Sequence, residues 1–283
     1  MCLAALSLAA SASPAAASVT IGQVSDPYSS PDDYCTVGYD WVQPTVNSGN
    51  SFVVPAIPGI ASLAVTSWTT WGGPEPNEQM TMKVFRPVPG QTDRYQAVGH
   101  AGPQTVSPGG TAGNTFPANI PVKPGDLLGL HATTRDWCLF TAPGESNFYY
   151  LGDLADNASA AFTSYPAGQR LNIQAVVSPS NAFSIVGTQR NKKKGTATLT
   201  ATVPNPGELI GSGKGVKVAG ASGAVISKTV TAPGKVKLTI RAKGKKKATL
   251  NETGKVKVKP NITYTPTGGD PSTQSIKVKL KKL

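Results

Sequence analysis

Apolar positions in this chain recur every second residue. In Lys235–Lys243, Val236, Leu238, Ile240 and Ala242 alternate with Lys235, Lys237, Arg241 and Lys243. Successive strand side chains point to opposite faces, so this stretch predicts a strand with an apolar side and a cationic side. The pattern returns in Thr196–Val203, in Lys255–Lys259 and in Ser275–Lys282. Between residues 19 and 178, short apolar runs are cut by Pro and Gly: Thr36–Val42, Ser51–Pro55, Ala61–Thr69, Met80–Phe85, Arg94–Val98, Thr115–Pro121, Leu127–Ala132, Cys138–Thr141, Asn147–Leu151, Ala158–Thr163 and Arg170–Val177. None sustains a helical period.

These runs predict an all-β chain. Residues 18–178 read as a jelly-roll-like β-sandwich. Residues 179–182, within Ser178-Pro-Ser-Asn-Ala182, read as a short linker that leaves a hinge open. Residues 183–283 read as an Ig-like or fibronectin III-like sandwich. Its expected strands are Phe183–Gln189, Thr196–Val203, Glu208–Gly211, Ser227–Thr231, Lys235–Lys243, Lys255–Thr265 and Thr273–Lys281. Turns are expected at Asn191–Gly195, Pro204–Gly207, Ala232–Gly234, Gly244–Lys247 and Thr267–Pro271.

Residues 1–17 are Ala- and Leu-rich and end in Ala15-Ala16-Ala17, which predicts a secretory signal peptide despite the missing basic start. A mature chain then keeps Cys35 and Cys138, and an even count outside the cell points to one disulfide. No other segment is apolar enough to predict a membrane span.

Charge sharpens the division. Of the 283 residues, the first 180 hold six Lys/Arg against twelve Asp/Glu, a net −6. The remaining 103 hold 21 against three, a net +18. So lopsided a surface calls for a polyanionic partner or for protection against sheet-to-sheet pairing.

The second half also resembles a known arrangement. Arg190-Asn-Lys-Lys-Lys-Gly-Thr-Ala-Thr-Leu-Thr, Gly-Lys-Gly-Val216, Pro233-Gly-Lys-Val-Lys-Leu238 and Tyr264-Thr-Pro-Thr-Gly-Gly-Asp-Pro-Ser-Thr-Gln-Ser-Ile-Lys-Val278 resemble a C-terminal module of uncharacterised secreted actinobacterial proteins. Gly125-Asp-Leu-Leu-Gly-Leu130 resembles part of the variable domain ahead of it. The resemblance implies an extracellular protein with an Ig-like tail. It supplies no catalytic residues.

Candidate chemistry is sparse. Lys192, Lys193, Lys194, Lys245, Lys246 and Lys247 fall in expected loops and could reach the phosphates of an anionic wall polymer or polysaccharide as point charges. Specific nucleic-acid recognition is not expected, because no aromatics are interleaved to stack bases. Trp68 and Trp71, three apart before a Gly-Pro loop, put one ring on each strand face, so one could serve as a sugar platform. Asp153–Asn157 and Asp32-Asp33 carry oxygens without calcium-loop spacing, and no metal or cofactor is expected. Gly211–Gly215 only mimics a phosphate loop. His100 and His131 would need a serine and a carboxylate in reach to support a hydrolase. The expected function is therefore a secreted, non-enzymatic surface or adhesion protein tethered by its cationic domain, with a carbohydrate-binding first domain as the alternative.

Overall fold

β-branched and aromatic residues at alternate positions favour pleated, half-buried surfaces, and strand is the dominant element among the described residues. A computed structural model describes residues 18–25, 35–73, 75–108, 113–134, 137–165, 168–219 and 226–283. The expected signal peptide and the Asp32-Asp33 pair lie outside the described residues. Among the described residues no helix is long and apolar enough to cross a membrane.

The first unit comprises β1 (Val19–Gln23), β2 (Tyr39–Val42), β3 (Leu63–Thr70), β4 (Glu78–Pro87), β5 (Arg94–Val106), β6 (Asn114–Val122), β7 (Leu127–Ala132), β8 (Leu139–Thr141), β9 (Asn147–Leu151), β10 (Ser159–Ala161), β11 (Thr163–Tyr165), β12 (Gln169–Leu171) and β13 (Ile173–Pro179). A four-stranded sheet, β1-β13-β3-β6, goes with a seven-stranded sheet, β10-β5-β4-β7-β2-β9-β11, and with the β12-β8 pair. All named strand pairs are antiparallel.

Alternation along β4 shows how the layers divide. Met80, Met82 and Val84 enter the main core with Trp68, Leu130 and Ile173. Phe85 points the other way, into a second apolar cluster with Val42, Tyr95, Leu127, Leu154 and Phe162. Gly129 makes room for that outer layer: a Cβ there would lie 2.2 Å from the Trp41 carbonyl and 2.7 Å from the Phe85 ring. Cys35 and Cys138 form the expected disulfide, 103 residues apart in sequence.

The second unit comprises β14 (Ser184–Asn191), β15 (Thr196–Val203), β16 (Gly207–Ser212), β17 (Val216–Ala219), β18 (Ile226–Val230), β19 (Gly234–Ala242), α1 (Lys245–Thr253), β20 (Lys255–Val258), β21 (Asn261–Pro266), β22 (Ser272–Ser275) and β23 (Val278–Lys281). Its sheets run β14-β15-β19-β17 and β18-β16-β21-β22, with β20-β23 as a separate ribbon. Ala197, Leu199, Ala201, Leu209, Leu238, Ile240, Ile262 and Tyr264 fill the core between them.

Three expectations need correction here. The single strand foreseen over Lys255–Thr265 is two, because Pro260 has no N–H for a ladder and breaks it. Thr273–Lys281 is likewise split into β22 and β23. Lys245–Lys247 do not sit in a loop; they begin α1. Lys, Ala and Leu are good helix formers, and Gly254, left-handed at φ 69°, closes the helix by donating its N–H to the Leu250 carbonyl.

The expected linker is not loose. Strand β13 pairs with β3 as far as Pro179. Beyond it, the wholly buried Asn205 of the second unit reaches into the first. Its Oδ1 accepts from the Ala61 and Ser62 amides at 2.9 Å each. Its Nδ2 donates to the Ser62 carbonyl at 2.8 Å and the Ser180 carbonyl at 3.1 Å. The Tyr264 hydroxyl holds Asn205 in turn, donating to its carbonyl at 2.8 Å, and burial pushes that phenol up to about 12. One side chain thus supplies the hydrogen bonds of a missing strand neighbour.

Candidate functional site

The junction fixes which end of the second unit is free. Asn205 follows β15, so the end holding Val203, Gly207, Gly234 and Pro266 faces the first unit. The opposite end holds the β14–β15 turn, the β16–β17 turn, the start of α1 and the strand ends near Lys259 and Lys277. Alternation sends the apolar residues inward, and on β17, β19, β20 and β23 it leaves lysine or arginine as the outward partner.

Two adjoining clefts lie there. The larger, about 960 Å³, is lined by Lys214, Lys243, Lys245, Lys246, Lys257, Lys259 and Lys277. The other, about 880 Å³, is lined by Lys193, Lys194, Lys217, Arg241, Lys243, Lys247 and Lys282. With Lys243 common to both, thirteen basic residues line the clefts, and neither lining contains a carboxylate or an aromatic ring. Among the described residues, no cation of the second unit lies within ion-pair distance of a carboxylate.

Of the six lysines singled out from sequence, five line the clefts; Lys192 does not. The sequence reading missed Lys214, Lys217, Arg241, Lys243, Lys257, Lys259, Lys277 and Lys282 as members of the same site. Their strand alternation was visible, but which strand ends meet depends on sheet order. Gly211 and Ser212 end strand β16, and the turn that follows over residues 213–215 delivers Lys214 to the larger cleft.

The two tryptophans do not form a platform. Trp68 is wholly buried with its ring against Phe116, and Trp71 is 8% exposed. A ring packed inside a sandwich has no face left for a sugar. A partly buried aromatic group lies elsewhere, where Tyr39 and Tyr149 stack at 5.5 Å beside the buried Trp41, and the exposed Tyr165 meets the Trp41 ring edge-on.

His131 belongs to a buried ionic cluster on the outer face of the seven-stranded sheet, whereas His100 is exposed. Asp40, wholly buried, accepts from the Lys83 ammonium at 2.9 Å, from His131 Nδ1 at 2.8 Å and from the Leu154 amide at 2.9 Å. Lys83 also donates to Asp153 and, at 2.9 Å, to the Leu154 carbonyl. Burial alone would raise the Asp153 carboxyl; the Lys83 hydrogen bond and charge, with the two histidines, hold it below its usual range. His100 contacts Asp156 at 2.9 Å. Carboxylates are in reach of both histidines, but among the described residues neither is bonded to a serine.

Asp40, His131 and Asp153 place potential ligand atoms within 4.8 Å of one another, a grouping not foreseen from sequence. The Lys83 ammonium already supplies the positive charge between Asp40 and Asp153, so a divalent ion would have to expel it. In the expected turn Asp153–Asn157, Asp153 and Asp156 are spent on Lys83 and His100.

No protein-family model matches the chain, and no curated protein matches its sequence.

Proposed function

We propose that this is an extracellular, non-catalytic surface protein whose second unit tethers it to an anionic polymer through the end farthest from the first unit. One observation carries the reading: thirteen cations line two adjoining clefts with no carboxylate among them. Like charges gathered this way repel. At ~4 Å in water two unit charges cost about 1 kcal/mol, and the Debye length of about 8 Å in physiological salt leaves close neighbours coupled. A polyanion converts that repulsion into attraction. The Cys35–Cys138 bridge and the Ala-rich leader support an extracellular setting.

The clasp at Asn205 favours a fixed spacer, with the first unit held away from the polymer. Sugar binding by the first unit is a second reading. It rests on the half-exposed Tyr39 and Tyr149 stack rather than on Trp68 or Trp71.

The test is co-sedimentation of the full chain with purified cell walls carrying anionic polymer, and with the same walls after extraction of that polymer. The tether predicts pelleting that is lost on extraction. Pelleting indifferent to extraction would favour the sugar-binding reading, and no pelleting even at low salt would reject the tether.

A further inference from the structure

The ribbon β20–β23 carries an arrangement that a simple cationic surface does not need. Its register sets Lys255 directly opposite Lys281 and Lys257 directly opposite Lys279. All four side chains are exposed, while Val256, Val258, Val278 and Leu280 are buried beneath them. The buried face pins the register, so the lysines cannot slip to the other side. Like charges directly opposite across a strand pair are destabilising. The same feature recurs nearby, where Lys217 of β17 faces Arg241 of β19.

Along each strand the lysines repeat every second residue, a spacing of about 6.6–6.8 Å. Lys259 and Lys277, the next alternate residues just beyond the ends of the two strands, line the larger cleft together with Lys257. The result is a double rail of charges with a fixed period, leading into the cleft.

Resting on the tether reading, we propose that this ribbon is a track for an extended phosphodiester chain in which three carbons separate successive phosphates. Such a chain has six single bonds between neighbouring phosphorus atoms. A peptide of three bonds per residue reaches at most about 3.3–3.6 Å per residue, so six bonds span about 7 Å. That matches the rail. Nucleic acid shares this backbone, but no aromatic side chain lines the clefts, and the rail presents only lysines, so bases would have no stacking surface. A polyol-phosphate chain, which offers phosphates alone, is the occupant the site fits. Lysine serves it as a mobile point charge, without the planar fork that arginine would present.

The experiment measures affinity of the full chain for glycerol-phosphate oligomers of increasing length, single-stranded DNA of equal phosphate number, and inorganic polyphosphate of equal charge. A second protein carries Lys255→Gln, Lys257→Gln, Lys279→Gln and Lys281→Gln. These exposed changes relieve repulsion, and circular dichroism checks that the fold survives. The track predicts tightest binding to the glycerol-phosphate oligomers and at least about a tenfold loss in the variant. It also predicts that the slope of log K against log salt becomes shallower by about 2–3, at ~0.7 per phosphate contact. Equal binding of polyphosphate would overturn the spacing match, and equal or tighter binding of DNA would overturn the polyol-phosphate assignment. A variant that binds like the parent would overturn the track and leave the clefts as the tether. Failure of the parent to bind any of the polymers would overturn the tether itself.

Discussion

Replacing Lys83 with methionine tests whether the ionic cluster holds the first unit together. Methionine keeps most of the stem and removes the ammonium. The Lys83 side chain is 3% exposed, and its three donors are all engaged, by Asp40, Asp153 and the Leu154 carbonyl. Removing one partner of a buried pair costs about 3–5 kcal/mol, because the other charge stays buried. Here Asp40 keeps His131 Nδ1 and the Leu154 amide, so the lower end, about 3 kcal/mol, applies. Asp153 is different, since its side chain is 67% exposed. Asp153→Asn should cost only about 0–1 kcal/mol, as for a surface pair. Restoring neutrality with Asp40→Asn in the Lys83→Met background should recover part of the loss. The assay is urea unfolding at pH 7 followed by tryptophan fluorescence. All four tryptophans precede residue 178, so the signal reports the first unit alone. A Lys83→Met variant within about 1 kcal/mol of the parent, or no worse than Asp153→Asn, would refute the reasoning.

Other outcomes follow from the same contacts. Asn205→Ala removes four hydrogen bonds across the junction, each worth about 0.5–1.5 kcal/mol net. It should split or broaden the thermal transition and speed amide exchange at Ala61 and Ser62; unchanged exchange there would contradict the clasp. Trp68→Ala should cost about 3–5 kcal/mol by its core cavity and leave polymer binding intact once folded; loss of binding at equal folded fraction would contradict a purely structural ring. For Glu145, burial alone would raise the carboxyl, but the Arg170 hydrogen bond, the Asn47 and Ser48 amides and the Arg170 charge outweigh it and hold it low. Its stabilising contribution, like that of Asp153, is therefore present above the unfolded carboxylate range of about 4 and is lost as pH falls through that range and below it. Stability measured from pH 7 to pH 3 should fall on the acid side, and Glu145→Gln should flatten that fall; a slope equal to the parent's would contradict it.

How far the sequence revealed the fold depended on whether a feature is local. Strand alternation and Pro/Gly punctuation located most strands within a few residues, because period two and turn chemistry are properties of neighbouring residues. Strand β1, Val19–Gln23, was missed because Gly22 interrupts its pattern, and β17, Val216–Ala219, because it is short and follows a glycine turn. Helix α1 was taken for a turn because a single apolar residue, Leu250, anchors it, too few to show a helical period. The cationic end was half legible: runs such as Lys192–Lys194 stand out, whereas Lys214 and Lys277 join the site only through sheet order. The Asp40–Lys83–His131–Asp153 cluster was not legible at all, since its members lie up to 113 residues apart and meet across strands β2, β4 and β7. Trp68 and Trp71 misled because strand geometry sets the side a ring takes, but not whether another layer covers that side.

The most direct test of the tether is the salt dependence of full-chain binding to a purified glycerol-phosphate polymer. With six or more phosphates neutralised, log K should fall against log salt with a slope of about −4 or steeper, at ~0.7 per contact. A slope near zero, or no measurable binding at ~50 mM salt, would mean that the thirteen cleft cations do not hold a polyanion.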